Sequence, residues 1–398
     1  MTAAASSEAV EFVDGGRRFA QVVDLLCGVD AYAIDTEFHR ERTYYPQLAL
    51  VQIAWDGGLA LIDPLAVDVS PLARVFESGA LAVLHAADQD LEVLERATGA
   101  LPPRIFDTQL CSGFLGYSSP SLVTLVESLL RVQLHKSDQL TDWTRRPLSE
   151  GQLSYAANDV AWLLEMRSVI GASLQETGRT QWAAEECALL LAKDRSDGHP
   201  EEAWWRLPHS RQLRGAARGV AQEVAAWRER RARRLDLPAR FVVSDMAVLS
   251  IAQRPPASRE DLLRTRGVDG RHFAGAVGDE LLEAVRRGKS LPPRDVRLQP
   301  GQNFERPNRP VIALASAYVG QRAAELSIDP AILATRADLV AFFQRVPDGR
   351  LASGWRHGLL GSMLKRLADG DAALAFDGDD GLVLEERSHR ALEPDLGG

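Results

Sequence analysis

Residues Ala31–Phe38, AYAIDTEF, read as a short buried strand that ends in two carboxylates, Asp35 and Glu37. Side chains two apart on a strand point to the same face, so both acids can converge on one point. Bare carboxylates side by side repel and lose hydration unless cations lie between them. Hard divalent ions such as Mg²⁺ or Mn²⁺ take oxygen ligands of this kind. The pattern alone is cheap. A strand end with two solvated acids looks the same, and Asp90-Leu91-Glu92 repeats it. The weight falls on what surrounds the stretch.

Outward from this first strand, over residues 31–35, Leu48–Trp55 (LALVQIAW) is a second β-prone run. Gly57 and Gly58 supply a turn into a third strand, Leu59–Asp63. Pro71–Glu77 reads as a helix, Leu81–His85 as a strand, Asp90–Thr98 as a helix and Arg104–Thr108 as a strand. Helical patterns cover Leu122–Leu130 and run from Gln152 to about Glu176. A meander followed by strand–helix alternation predicts an α/β domain, a mixed sheet flanked by helices. Arg195–His199 and Pro200 then read as a linker. All-α texture follows, first to Leu291-Pro292-Pro293 and again over residues 311–369. The expected divisions are 1–198, 203–292 and 305–370, with an acidic, glycine-rich tail over 371–398 that is expected to lack structure in part.

The net charge of −9 hides an asymmetry. Residues 1–205 carry −15 and residues 206–289 carry +8. An acidic module that holds cations and a basic one that holds a polyanion account for such a division. Three scattered cysteines, with no C-x-x-C pair, point to a reducing cytoplasm and away from structural zinc. No secretory leader and no apolar run near the ~18 residues of a membrane span is visible. Gly288-Lys289-Ser290 imitates the end of a P-loop. The glycine required five residues earlier is Glu283, and the tripeptide follows a helix instead of opening one.

Asp90 opens a helix after strand Leu81–His85, the usual place for a ligand in an α/β sheet. Tyr155 and Asp159 stand at i, i+4, on one helical face. Together Asp35, Glu37, Asp90, Tyr155 and Asp159 resemble the DEDD exonucleases of the tyrosine subgroup. Longer stretches narrow the resemblance to the ribonuclease D family. They are DTEF at 35–38, RTYYPQL at 42–48, LIDPL at 61–65, HAxxxDLEV at 85–93, DTQ at 107–109, KS at 136–137, TDW at 141–143, RPL at 146–148 and YAAxDV at 155–160. Residues 203–234 and FVV at 241–243 resemble the helicase-and-RNase-D C-terminal (HRDC) domain. Residues 311–369, with SGWR at 353–356, resemble a second, divergent copy.

The resemblance implies a ribonuclease H-like exonuclease domain followed by two small helical bundles. It also implies 3′→5′ release of nucleoside 5′-monophosphates from RNA 3′ ends, such as those of tRNA precursors. Asp35, Glu37, Asp90 and Asp159 are then expected to hold two divalent ions, Mg²⁺ or Mn²⁺, with Tyr155 orienting the attacking water. Asp88, two residues before Asp90, is an alternative ligand. Phe38 and His85 are candidates for the terminal nucleotide, and Lys136, Arg146, Arg228 and Arg231 for phosphates. A monomer without membrane contact or small-molecule cofactor is expected. The competing readings are a DNA 3′→5′ exonuclease and a catalytically inactive RNA-binding protein.

Overall fold

The structure is a computed structural model that describes residues 10–134, 141–299, 308–379 and 381–388. Its sheet begins earlier than the sequence suggests. β1 (Glu11–Val13) and α1 (Gly16–Leu26) precede β2 (Ala31–His39), which was expected to be the first strand. Three residues are too few to show alternation. The helical spacing of Phe19, Val22, Val23 and Leu26, all buried, was nonetheless legible in α1. β3 (Gln47–Trp55) and β4 (Gly58–Ile62) form the meander. β5 (Leu81–Leu84) follows α2 (Leu72–Glu77), and α3 (Asp88–Thr98) leads to β6 (Ile105–Asp107). The sheet order is β1-β4-β3-β2-β5-β6. β2 runs antiparallel to β3 and parallel to β5, and β1 runs parallel to β4. The mixed sheet is as expected, and its core is built from buried Tyr32, Ile34, Leu50, Ile53, Leu61 and Ile62.

After α4 (Thr108–Gly113) and α5 (Leu122–Leu125), the expected helical stretch from Gln152 to Glu176 is two helices. They are α6 (Glu150–Ala161) and α7 (Leu163–Glu176), with the break at Trp162. α8 (Thr180–Leu191) follows.

Two compact units are present, and neither is continuous in sequence. The first comprises residues 1–105, 135–164 and 190–300. Its helical part is built on α9 (Ala216–Leu235), with helices Asp245–Gln253 and Ala276–Ser290 around Trp204, Val220, Val224, Ile251, Leu281 and Val285. A Cβ on Gly288 would lie 2.5 Å from Val220 Cα, so the glycine of the false P-loop lets two helix backbones touch. Residues 195–199, expected to be a linker, are pinned in this unit. The Tyr45 hydroxyl donates to Asp197 across 2.8 Å, and Arg233 donates to the Asp197 carbonyl.

The second unit comprises residues 106–134, 165–189 and 301–398. Glu186 is buried there between Arg350 and Arg356, and Trp182 stacks on Trp355 at 5.1 Å. Within the tail that was expected to lack structure in part, residues 372–376 and 382–386 are strands. They pair antiparallel as β7 (Ala372–Phe376) and β8 (Leu382–Glu386), with Ala372 opposite Glu386 and Phe376 opposite Leu382.

Candidate active site

β2 pairs with β3 along its length but with β5 only over Ala31–Ala33. Beyond Ala33 one edge of β2 is free of β5, and α3 starts there. This is the position past the carboxyl ends of parallel strands where α/β sheets place ligands. The Thr36 hydroxyl donates to Asp90 Oδ1 across 2.5 Å, and Asp90 is only 7% exposed. α6 supplies the remaining side chains. A capping box between Ser149 and Gln152 fixes its start, so Tyr155 and Asp159 fall on one face, one turn apart. The Tyr155 hydroxyl hydrogen-bonds to the Asp159 carboxyl. Tyr155 itself rests on Trp143, with ring centroids 5.9 Å apart.

Carboxylate oxygens of Asp35, Glu37 and Asp159 lie within 4.8 Å of one another. Burial and mutual repulsion push all three well above the usual carboxylate range. Glu37 rises to about 8, through desolvation and then the charges of Asp159 and Asp90. Asp159 rises to about 7, again mainly through desolvation, with the Tyr155 hydrogen bond opposing. Asp35 moves in the same direction through desolvation and the charges of Asp90, Asp159 and Glu37. Gln52, the cross-strand neighbour of Asp35, is fully buried, and among the described residues neither of its amide atoms has a hydrogen-bond partner. An all-oxygen donor set with this much uncompensated repulsion fits hard divalent cations.

The structure separates the two acids of the DxD sequence at 88–90. Asp90 faces Thr36, whereas Asp88 is exposed and receives Lys193 Nζ at 2.5 Å. Phe38 is half-buried, outside the sheet core, with the Arg40 guanidinium 5.1 Å from its ring centre. His85 is half-buried where β5 ends, one residue before Ala86, whose φ of 57° turns the chain toward α3. Lys136 lies outside the described residues.

Three expected phosphate contacts are corrected. Arg146 spends all five N–H donors within the protein. It donates to Asp63 twice at 2.6 Å and to the carbonyls of Trp143, Arg145 and Ala49. The Ala49 carbonyl belongs to a bulge, since Glu37 pairs with Leu50 and Phe38 with Leu48. Arg146 therefore holds the backbone bend beside the site. Arg228 is buried and donates to Asp245 at 2.6 Å and to the Val243 carbonyl. Arg231 lies over Trp227 and donates to Glu280 at 3.1 Å. A dense run of arginines on a helix gives charge but not direction: Arg228 points into its own bundle, and one donor of the half-buried Arg231 goes to Glu280 of the same bundle. Thr36 was overlooked, although its place between Asp35 and Glu37 was the available signal.

The family model described as 3′-5′ exonuclease matches residues 10–175, and the HRDC domain model matches residues 217–285. The chain is 36% identical over 361 residues to ribonuclease D of Jannaschia sp., covering 88% of this chain and 93% of that one. It is 34% identical over 368 residues to ribonuclease D of Acidiphilium cryptum, covering 90% and 93%. The structure is similar to the crystal structure of Escherichia coli RNase D, described as an exoribonuclease involved in structured RNA processing. The TM-score is 0.79 at 31% identity, over 91% of this chain and 99% of that chain. Family model, relatives and fold agree with the buried carboxylate cluster, and this chain belongs to the ribonuclease D family of hydrolytic 3′→5′ exoribonucleases.

Proposed function

We propose that the chain removes nucleoside 5′-monophosphates one at a time from RNA 3′ ends, trimming tails of tRNA precursors or other structured RNAs. The observation that carries this reading is the convergence of Asp35, Glu37 and Asp159 within 4.8 Å, with Asp90 buried beside them. Asp35, Glu37, Asp90 and Asp159 would hold two Mg²⁺ or Mn²⁺ ions. Such a pair, when bound, stabilises charge on the attacking and leaving oxygens of an in-line displacement and acidifies water. A tyrosine hydroxyl, with a reference pKa near 10, is a poor base at neutral pH, so Tyr155 is assigned another role. Its hydroxyl, tethered to Asp159, orients the water that attacks the terminal phosphodiester. Phe38, half-buried rather than core, offers its ring to the terminal base, and His85 lies at the mouth of the same strand ends.

The domain reading that accompanies this function is an exonuclease domain over 1–198, an HRDC-type module over 203–292 and a second such module over 305–370. We place the protein in the cytoplasm as a monomer. Among the described residues no helix is long and apolar enough to cross a membrane.

The test uses a 5′-labelled single-stranded RNA and its DNA twin, incubated with wild type and Asp159→Ala in Mg²⁺, Mn²⁺ or EDTA. A metal-dependent ladder that shortens from the 3′ end of RNA, and is lost in the variant, supports the proposal. Equal or faster loss of DNA replaces it with a DNA exonuclease. RNA bound without any ladder leaves a binding protein.

A further inference from the structure

Most arginines around the site are occupied. Arg146 has no donor to spare, and Arg40 donates to Glu92 at 2.9 Å. Arg42 and Arg145 differ. Their side chains are 73% and 83% exposed, and both approach one oxygen of Asp142, at 3.9 and 3.5 Å. Those separations are too long for hydrogen bonds. The Asp142 carboxylate is already engaged by Thr144, whose hydroxyl and backbone N–H donate to Oδ1 at 2.5 and 3.1 Å. Two guanidiniums share one anion whose other oxygen is held by Thr144, so the cluster carries surplus positive charge, and among the described residues neither guanidinium donates a hydrogen bond.

The position of this cluster follows from the chain. Arg42 lies four residues beyond Phe38, on the segment that leaves β2 with Asp35 and Glu37 behind it. Arg145 lies on the loop that leads into α6. That loop is fastened to α6 at two points: Trp143 packs on Tyr155, and Gln152 Nε2 donates to Thr141 Oγ1 at 3.1 Å. The segment that follows β2 and the loop that precedes α6 thus meet at Asp142, next to the Trp143 that packs on Tyr155.

We propose that Arg42 and Arg145 bind the backbone phosphates of the RNA strand on the 5′ side of the scissile bond, positioning the 3′ end over the carboxylates. This rests on the exoribonuclease reading of the site. Phosphate contacts of this kind fix register without reading bases, as an enzyme that removes successive nucleotides of any identity requires. Guanidinium forks suit phosphate oxygens in pairs.

The experiment compares wild type with the Arg42→Gln/Arg145→Gln and Arg42→Lys/Arg145→Lys double variants. Binding of a labelled octanucleotide RNA is measured in EDTA across a salt series, and turnover is measured with Mg²⁺ on RNAs of two, five and eight nucleotides. Loss of two phosphate contacts lowers the slope of log affinity against log salt by about 1.4, at ~0.7 per contact on a single strand. For the Gln double variant kcat/KM falls on the order of tenfold or more on the octanucleotide, chiefly through KM, since each charge-assisted bond is worth about tenfold. The loss shrinks as the RNA shortens to two nucleotides. The Lys double variant restores the salt slope, which a merely structural role would not produce. An unchanged slope in the Gln variant, or the same loss at every length, overturns the proposal while leaving the exoribonuclease reading intact. A wild type that yields no metal-dependent ladder overturns both.

Discussion

Thr36 Oγ1 lies 2.5 Å from Asp90 Oδ1, so the residue between the two carboxylates of β2 holds a third carboxylate on another element. Groups that orient ligating carboxylates typically cost about 10–100-fold in metal affinity or activity when removed. Thr36→Val is expected to weaken Mg²⁺ affinity by that order, and Thr36→Ser to retain most of it. Calorimetric Mg²⁺ titration of the three proteins measures this directly. Equal affinities would leave Thr36 with a packing role only.

Tyr155→Phe removes one hydroxyl and keeps the ring that rests on Trp143. Turnover should fall by about 10²-fold, the order expected when a group that positions a reactant is lost, with Mg²⁺ affinity little changed. Asp159→Asn should lose both. Single-turnover kinetics beside metal titration separate the two variants.

The raised carboxylates give the metal-free protein a distinctive pH response. Glu37 holds its proton up to about 8 and Asp159 to about 7, whereas the unfolded chain releases them near 4.5 and 3.8. Between those limits the folded state binds more protons than the unfolded state. Stability therefore falls as pH rises from about 3.8 to 8, and this contribution is flat below. Urea unfolding in EDTA should show that decline, and Mg²⁺ should remove much of it. An Asp35→Asn protein should decline less, having lost one repelling charge.

Glu186 sits in the opposite environment. Desolvation raises its pKa, but hydrogen bonds and charges from Arg356 and Arg350 outweigh that and hold it below the usual range. Glu186→Gln leaves the buried Arg356 without its counter-ion and should cost about 3–5 kcal/mol. Denaturant midpoints measure it.

Arg228→Met is expected to cost about 1–3 kcal/mol, from the lost bonds to Asp245 and the Val243 carbonyl. The slope of RNA affinity against salt should not move, because Arg228 is buried. A reduced slope would return Arg228 to the RNA-contacting residues.

The chemistry of the site was more legible than its supports. Asp35 and Glu37 were readable because strand period alone aligns them, and Tyr155 with Asp159 because helix period does. The spacing of HAxxxDLEV favoured Asp90 over Asp88 without fixing the choice. The choice depends on which residue of the first turn of α3 meets Thr36, a tertiary fact. The arginines misled for a related reason. Arg146, Arg228 and Arg231 look like cations available to phosphate, but their partners are Asp63, Asp245 and Glu280, far along the chain. β1 was missed because three residues carry no period. The strands Ala372–Phe376 and Leu382–Glu386 were missed because neither AALAF nor LVLEE alternates and the composition around them is acidic and glycine-rich.

The interleaving of the two compact units constrains how this chain comes to be folded. The second unit contains residues 106–134 and 165–189 but also everything from 301 onward. During synthesis from the N-terminus, Glu186 emerges about 170 residues before Arg356. Until then a carboxylate destined for burial waits in water, and α8 lacks the tryptophan on which Trp182 will stack. Domains generally fold as units during translation, so this unit cannot close until the chain is nearly finished. A chain halted near residue 300 is thus not a catalytic domain freed of an appendage. It is one unit accompanied by segments of another whose partners lie beyond the break, such as Glu186 without Arg356 and Trp182 without Trp355.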